Sequence, residues 1–152
     1  MITKSIDTLR IKSENFQGTE EDLKAIVENL EFELKQHKGD SVGLSGIQIG
    51  VPVRVAIIRL NHKIKFHGVE REMKESYDLY NAKIISQSNP FNFKGEGCLS
   101  FPNQFCTTRR YNQITVVNGD GKEYKFSGFT AVVIQHELDH WEGMVFTDRK
   151  VE

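Results

Sequence analysis

The segment TAVVIQHELDHWEG, residues 130–143, constrains the fold of this chain more than any other stretch. We predict a helix here despite the β-branched start, because a helix places His136 and His140 on one face with Glu137 beside them. Apolar residues nearly all round this helix indicate that it is buried at the centre of the fold. Gly143 is expected to end it.

The spacing His-Glu-x-x-His is typical of a catalytic metal site. The alternative is a pair of surface histidines on an amphipathic helix, but the apolar residues before His136 argue against it. Buried histidines need partners, and a metal ion is one such partner. The sequence therefore favours metal binding by His136 and His140.

A catalytic metal site usually has three protein ligands and an open position for water. The best third candidate is Cys98 in GEGCLSFP, residues 95–102, whose composition predicts a rigid loop. A lone cysteine is more often a small buried apolar residue. Without the two histidines, this alternative would be the better interpretation of Cys98. Cys106 has no such context.

The remaining patterns predict an α+β chain with mixed strands packed around a central HExxH helix. One long flanking N-terminal helix is predicted within residues 18–40, capped by Thr19 and stopped near Gly39. VPVRVAIIRL and LYNAKIISQS are predicted strands, the second closed by Asn89 and Pro90, and residues 118–121 turn a hairpin. The polar residues 61–76 form either a hairpin or a loop. We expect one catalytic domain over residues 1–152.

The composition excludes few classes but is informative about partners. A net charge of -1 over 152 residues gives no reason to expect nucleic-acid specificity or membrane binding. Two cysteines suit a reducing compartment, and the N-terminal residues contain no signal peptide pattern. The expected location is the cytoplasm.

The stretch SVGLSGIQIGVP, residues 41–52, is rich in glycine, which lets the backbone approach another group closely. It is not a phosphate-binding loop, because the Lys-Ser/Thr ending is missing. Gln48 is a polar side chain in an otherwise apolar segment. On the residues alone, it is equally a hydrogen-bonded core amide or a solvent-facing residue.

Taken together and in this order, GLSGIQ, EGCLS and QHELDHWEG resemble the three motifs of the peptide deformylase family. The second motif is a complete match, and the third has Trp141 where leucine is usual. The resemblance extends from about Leu9 to Asp148. It implies a mixed α+β fold and a metal-dependent hydrolase that removes the formyl group from the N-terminal methionine of newly made polypeptides.

Carried over to this sequence, the resemblance implies that Cys98, His136 and His140 are the metal ligands and that Glu137 is the general acid/base. The family's usual metal is Fe(II), with zinc, nickel or cobalt as substitutes, so one divalent ion is expected. The implied partners are N-formylmethionyl peptides on nascent chains near the ribosome. The chain is expected to be a monomer in the bacterial cytoplasm.

The resemblance also implies roles in substrate binding. Gln48 and the backbone N–H of Leu99 correspond to the oxyanion donors, and Gly43 would shape the strand beside the substrate. Val132 and Val133 are candidates for the wall of the methionine pocket, with ordinary core valines as the alternative.

Several positions depart from the family pattern. Ser41 replaces the opening glycine of the first motif, Ser45 and Gly46 replace two alanines, and Phe105 lies where many relatives carry arginine. We expect these changes to alter substrate contacts rather than the chemistry. Nine residues follow Gly143, so we expect this chain to lack the C-terminal helix of many bacterial relatives and, in this respect, to resemble the short deformylases carried by bacteriophages.

Two other functions are compatible with the HExxH motif. Another HExxH metallopeptidase would usually take its third ligand downstream, but the residues after His140 contain neither histidine nor cysteine. A non-catalytic, metal-stabilised protein that binds peptide N-termini would lack the acid/base residue, and Glu137 is present. Glu96 and Arg110 are expected to pair and brace the Cys98 loop, unless Arg110 is exposed to solvent.

Overall fold

The computed structural model describes residues 1–37 and 42–151, and within them the chain is α+β, as predicted, with six strands in two sheets and three α-helices. In chain order the helices and strands are α1 Ile6–Leu9, α2 Glu20–Lys35, β1 Gly43–Ser45, β2 Val55–Phe66, β3 Val69–Tyr80, β4 Lys83–Cys98, β5 Phe101–Val117, β6 Glu123–Ser127 and α3 Gly128–Trp141. The two antiparallel sheets have the strand orders β1-β2-β3 and β4-β5-β6.

The long helix α2 begins after Thr19, as predicted. The Thr19 hydroxyl accepts a hydrogen bond from the Asp22 backbone N–H, and the Asp22 carboxylate accepts one from the Thr19 N–H, which together form a capping box. The apolar face of α2 is buried against β1 and β2 through Leu30 and Leu34. The helix ends at Lys35. The predicted stop at Gly39 lies outside the described residues.

The first sheet is dominated by a long hairpin. The sequence predicts either a hairpin or a loop for the polar residues 61–76, and the structure shows a hairpin. These residues belong to β2 and β3, which pair over their whole length and are joined by a turn at His67 and Gly68. The base of this hairpin is buried, and its far end is exposed. The short strand β1 pairs with the buried part of β2, where Leu44 lies opposite Ile57.

The prediction that Asn89 and Pro90 end a strand is wrong. LYNAKIISQS is divided between β3 and β4 at Asn81, and β4 then continues through Pro90, opposite Tyr111, as far as Cys98. Proline is tolerated because β4 is an edge strand whose neighbour among the described residues is β5 alone. The predicted rigid loop around Cys98 is therefore only the two-residue turn between β4 and β5.

The predicted helix over the HELDH motif is α3, and every residue from Thr130 to Trp141 is buried. It packs mainly against β5, and Ala131, Ile134 and Trp141 join the largest core cluster. Gly143 follows the helix in the left-handed region, with φ 73°. A Cβ at Gly143 would lie 2.5 Å from the Arg10 carbonyl oxygen, so both the backbone and the space require glycine here.

The predicted hairpin at residues 118–121 is also present. Asn118 donates its N–H to the Lys122 carbonyl, and Gly121 donates to the Asn118 carbonyl, which closes the turn between β5 and β6. In the described part of the chain, no helix combines the length and apolar character needed to cross a membrane.

Candidate metal centre and active site

The fold brings together the three side chains that the sequence suggested as metal ligands. Cys98 lies at the end of β4, and His136 and His140 lie one turn apart on α3. One ligand atom from each residue lies within 4.8 Å of the others, and Cys98 Sγ is 3.6 Å from His140 Nε2. One sulfur and two imidazole nitrogens suit a divalent transition metal and leave a coordination position open.

The orientation of the His136 ring supports this assignment. His136 Nδ1 lies 2.8 Å from Glu96 Oε2, which leaves Nε2 as the nitrogen available to a metal. A carboxylate on the far nitrogen of a ligating histidine fixes its tautomer and raises its basicity. His140 is fully buried, and its Nδ1 has no hydrogen-bond partner among the described residues.

Arg110 and Glu96 pair inside the protein, as expected, and the solvent-exposed alternative for Arg110 is wrong. Only 2% of Arg110 is exposed, and it donates from Nε to Glu96 Oε1 at 2.8 Å and from Nη2 to Glu96 Oε2 at 2.5 Å. Thr108 Oγ1 also donates to Glu96 Oε1, at 2.6 Å. These contacts hold the carboxylate that orients His136.

Sequence reasoning missed the second acidic partner of Arg110. Arg110 Nη1 donates to Asp139 Oδ2 at 2.7 Å, and Arg149 donates from Nη2 to Asp139 Oδ1 at 3.0 Å. The signal was available, because Asp139 is a charged residue in a segment predicted to be buried all round, and such a carboxylate needs a cationic partner.

The electrostatics of Glu96 follow from these contacts. Burial raises the pKa of Glu96, but the hydrogen bonds from Arg110 and His136 outweigh burial and bring the pKa down to about 2. Glu96 is therefore a carboxylate at neutral pH. It can accept a hydrogen bond from His136 Nδ1, which keeps the proton away from the metal-facing nitrogen.

Glu137 is buried beside the two histidines, with 3% of its surface exposed. Burial raises its pKa to about 7, although the charge of His136 and the hydrogen bond from Ser45 act in the opposite direction. The carboxyl group lies against Gly43, where a Cβ would be 2.6 Å from Glu137 Oε2. A side chain at position 43 would displace this carboxyl group, which explains the need for glycine at that position of β1.

Gln48 lies in a 3-10 turn, Gly46–Ile49, directly after β1, and it is buried. Its Nε2 donates to Ser100 Oγ at 3.1 Å and lies 3.5 Å from Cys98 Sγ, while its Oε1 accepts the Ser45 N–H at 3.0 Å. Of the two alternatives left open by the sequence, the buried and hydrogen-bonded amide is correct. The amide also lies beside the candidate metal ligand, next to the turn that contains Leu99.

The two valines proposed for the substrate pocket are both buried on α3. Val133 packs in the main core cluster, together with Ala56 and Ile58 of β2. Val132 lies outside that cluster. Their place in a methionine pocket remains a prediction.

Phe105 is 70% exposed, and its ring covers Gly97, the residue before Cys98. The aromatic side chain therefore lies on the surface, against the residue that precedes Cys98, rather than in the core. Cys106, the other cysteine, is partly buried on β5 and belongs to no group of metal-binding side chains in the described residues.

Comparison with known proteins identifies the family that has this arrangement. The sequence model of the polypeptide deformylase family matches residues 2–152. The chain belongs to this family. A peptide deformylase of Karelsulcia muelleri is 34% identical over 144 residues, which cover 92% of this chain and 71% of that protein.

Other deformylases differ in how much of their length is matched. A peptide deformylase of Pelagibacter ubique is 35% identical over 111 residues, 70% of this chain, and the match covers only 60% of that protein. The crystal structure of a probable peptide deformylase from Synechococcus phage S-SSM7 superimposes with a TM-score of 0.78 at 30% identity and covers 98% of both chains. The α+β fold described above is thus the deformylase fold.

Proposed function

We propose that this chain is a peptide deformylase, a metal-dependent hydrolase that removes the formyl group from the N-terminal methionine of newly made polypeptides. The observation that carries the proposal is the convergence of Cys98, His136 and His140 beside the buried carboxyl group of Glu137. Family membership supports the same reaction.

Cys98, His136 and His140 would together hold one divalent metal ion, with Cys98 as the thiolate. We infer Fe(II) as the native ion, with zinc, nickel or cobalt as substitutes, because soft thiolate and imidazole ligands suit all four metals. When bound, such an ion supplies Lewis acidity, which makes water more acidic and polarises a carbonyl group.

Glu137 would move the proton in this reaction. The oxygen of water bonds to the formyl carbon, and the bond from that carbon to the methionine nitrogen breaks, which gives formate and a free amine. Glu137 takes a proton from the water and gives it to the leaving nitrogen. Burial raises the pKa of Glu137 in the metal-free protein. A divalent ion beside the carboxyl group would lower the pKa again, and a carboxyl group between these two effects can both take and give a proton near neutral pH.

Gln48 and the backbone N–H of Leu99 would stabilise the negative charge that develops on the formyl oxygen. Gln48 Nε2 lies 3.5 Å from Cys98 Sγ, so its amide hydrogens are next to the atom that would bind the metal. A preorganised donor of this kind typically lowers the barrier by about 3 to 4 kcal/mol.

Several finer points belong to the same proposal. The chain would act as one catalytic domain, Met1–Glu152, built around α3 with α2 on its flank. Gly43 would shape the strand beside the peptide, and Val132 and Val133 would contribute to the methionine pocket. We infer that the protein acts as a monomer in the bacterial cytoplasm on nascent chains near the ribosome. Its gene would belong to a bacterium or to a phage.

The two alternative functions have less support. In another HExxH metallopeptidase the third ligand usually follows the helix, whereas here Cys98 comes from β4, before it. A protein that only bound peptide N-termini would not need a buried acid beside the metal ligands, and Glu137 occupies that position.

An assay with three peptides distinguishes these functions. The metal-loaded protein should release formate from formyl-Met-Ala-Ser, release no acetate from acetyl-Met-Ala-Ser, and leave the internal bonds of a longer peptide intact. Cleavage of internal bonds would identify a metallopeptidase. Binding of the formylated peptide without formate release would identify a non-catalytic protein and overturn the proposal.

A further inference from the structure

We propose that Ser45 is a positioning residue for Glu137. Its hydroxyl group holds Glu137 Oε1 in place and leaves Oε2 as the oxygen that carries the proton between water and the leaving amine. The inference rests on the proposed function and adds a residue to it.

The contact lies where β1 meets α3. Ser45 is the last residue of β1 and is fully buried, and its Oγ is 3.2 Å from Glu137 Oε1 and 3.0 Å from the Glu137 backbone carbonyl oxygen. The Ser45 N–H donates to Gln48 Oε1, which fixes the serine backbone in turn. The hydroxyl therefore projects towards Glu137 from a held position. Both oxygens lie within reach of its single hydrogen, and we assign the hydrogen to Oε1 when Glu137 is ionised, because a charged carboxylate oxygen is the stronger acceptor.

The two carboxyl oxygens of Glu137 have different surroundings. Oε1 has Ser45 as its partner, whereas Oε2 lies over Gly43 and makes no side-chain hydrogen bond within residues 1–37 and 42–151. A Cβ at position 43 would lie 2.6 Å from Oε2, so the glycine leaves space beside this oxygen. One oxygen is anchored and the other is free for a reacting proton.

This asymmetry has a kinetic consequence. Proton transfer needs the carboxyl oxygen within hydrogen-bond distance of the donor in the reacting geometry, so an unanchored carboxyl group spends less time in position. The side chain of Ser45, which stands where the family pattern has alanine, contacts Glu137. At this position we therefore infer an effect on the chemistry, and not the effect on substrate contacts that the sequence predicts. Loss of the Ser45 hydroxyl should therefore lower kcat and leave KM nearly unchanged.

The decisive experiment compares Ser45→Ala with the parent and with Ser13→Ala. Ser13 is also a buried serine, but its hydroxyl has no hydrogen-bond partner in the described structure, so it controls for the removal of a buried hydroxyl group. All three proteins are loaded with nickel and assayed on formyl-Met-Ala-Ser, with metal content and Tm measured on the same preparations.

We expect Ser45→Ala to lower kcat about tenfold, a difference of about 1.4 kcal/mol in the barrier, with KM within twofold of the parent. Metal content and Tm should stay close to the parent, and Ser13→Ala should retain parental kcat. A crystal structure of Ser45→Ala should show the Glu137 carboxyl group in more than one orientation.

Three outcomes would overturn the inference. An unchanged kcat in Ser45→Ala would show that the hydroxyl does not position Glu137. A lower kcat with a matching loss of metal or folded protein would assign Ser45 a purely structural role. A parent that releases no formate would overturn the proposed function and this inference together, whereas the first two outcomes leave the proposed function intact.

Discussion

Arg110 binds Glu96 through two hydrogen bonds in the interior of the protein, and the same carboxylate lies 2.8 Å from His136 Nδ1. The guanidinium group thus acts on a candidate metal ligand through one intervening side chain. Arg110 also donates to Asp139, so it compensates two buried carboxylates at once.

Arg110→Met should destabilise the fold and weaken metal binding. The substitution leaves Glu96 and Asp139 buried without this cation, which typically costs about 3 to 5 kcal/mol in the free energy of unfolding. Glu96, which orients His136, would lose the cation that holds it, and metal affinity should fall by at most the 10- to 100-fold that is typical when the direct partner of a ligating histidine is lost. Urea denaturation and metal titration measure the two effects.

Arg109→Met is the matched control for this prediction. Arg109 is the neighbouring residue on β5, but it is exposed and donates only to Asn92 among the hydrogen bonds of the described residues. Its replacement should change the free energy of unfolding by about 0.5 kcal/mol or less. Equal effects of the two substitutions would contradict the role assigned to Arg110.

Cys98→Ser should abolish stoichiometric metal binding, because a serine hydroxyl is a much poorer ligand than a thiolate for these metals. Cys106→Ser should retain the parental metal content, since Cys106 lies outside the ligand group. Elemental analysis gives the metal per chain, and X-ray absorption on the parent should show one sulfur and two nitrogens from the protein. A first shell without sulfur would rule out Cys98.

Gln48→Leu should lower kcat by about a hundredfold or more and change KM little, if the amide stabilises the charge on the formyl oxygen. Gln48 also contributes to the fold, because its side-chain amide accepts a hydrogen bond from the Ser45 N–H and donates one to Ser100 Oγ. Tm should be measured beside the kinetics for this reason. Near-parental kcat in a well-folded variant would leave Leu99 and the metal as the only oxyanion stabilisers.

The sequence predicts the site better than it predicts the strands around it. The spacing of His136 and His140 fixes their common helical face, and Cys98 follows from the need for a third ligand. The continuation of β4 through Pro90 is not visible in the sequence, because proline marks a turn unless the strand is known to lie at a sheet edge. Edge position is a property of the assembled sheet.

Side-chain contacts between segments that are far apart in the chain are also difficult to predict from the sequence. The hydroxyl of Ser45 meets Glu137 across 92 positions of sequence, and nothing in the local pattern around either residue indicates the pairing. The pairing of Arg110 with Glu96 is one of two alternatives that the sequence leaves open, because the sequence does not show whether Arg110 is buried. The burial of Asp139 is predictable from the sequence, but its two cationic partners are not, because they come from β5 and from the C-terminal segment.

The pH dependence of the metal-free protein should show the burial of Glu137. Its pKa is raised from 4.5 to about 7, so its contribution to stability is fully present below pH 4.5 and is lost as the pH rises through 7. Glu137→Gln removes this dependence. Relative to the parent, the variant should therefore gain about 3 kcal/mol between pH 4 and pH 8.

Urea denaturation of both chelator-treated proteins across this pH range measures that gain. A stability difference between them that does not change with pH would show that Glu137 titrates normally in the folded protein.

The central claim is that Glu137 carries the proton while Cys98, His136 and His140 hold the metal. Glu137→Ala tests it most directly, with metal content and formate release from formyl-Met-Ala-Ser measured on one preparation. The account predicts one metal ion per chain, as in the parent, and a loss of nearly all turnover, because the substitution removes the proton carrier and no ligand. A variant that keeps its metal and turns over within a few-fold of the parent would contradict the account.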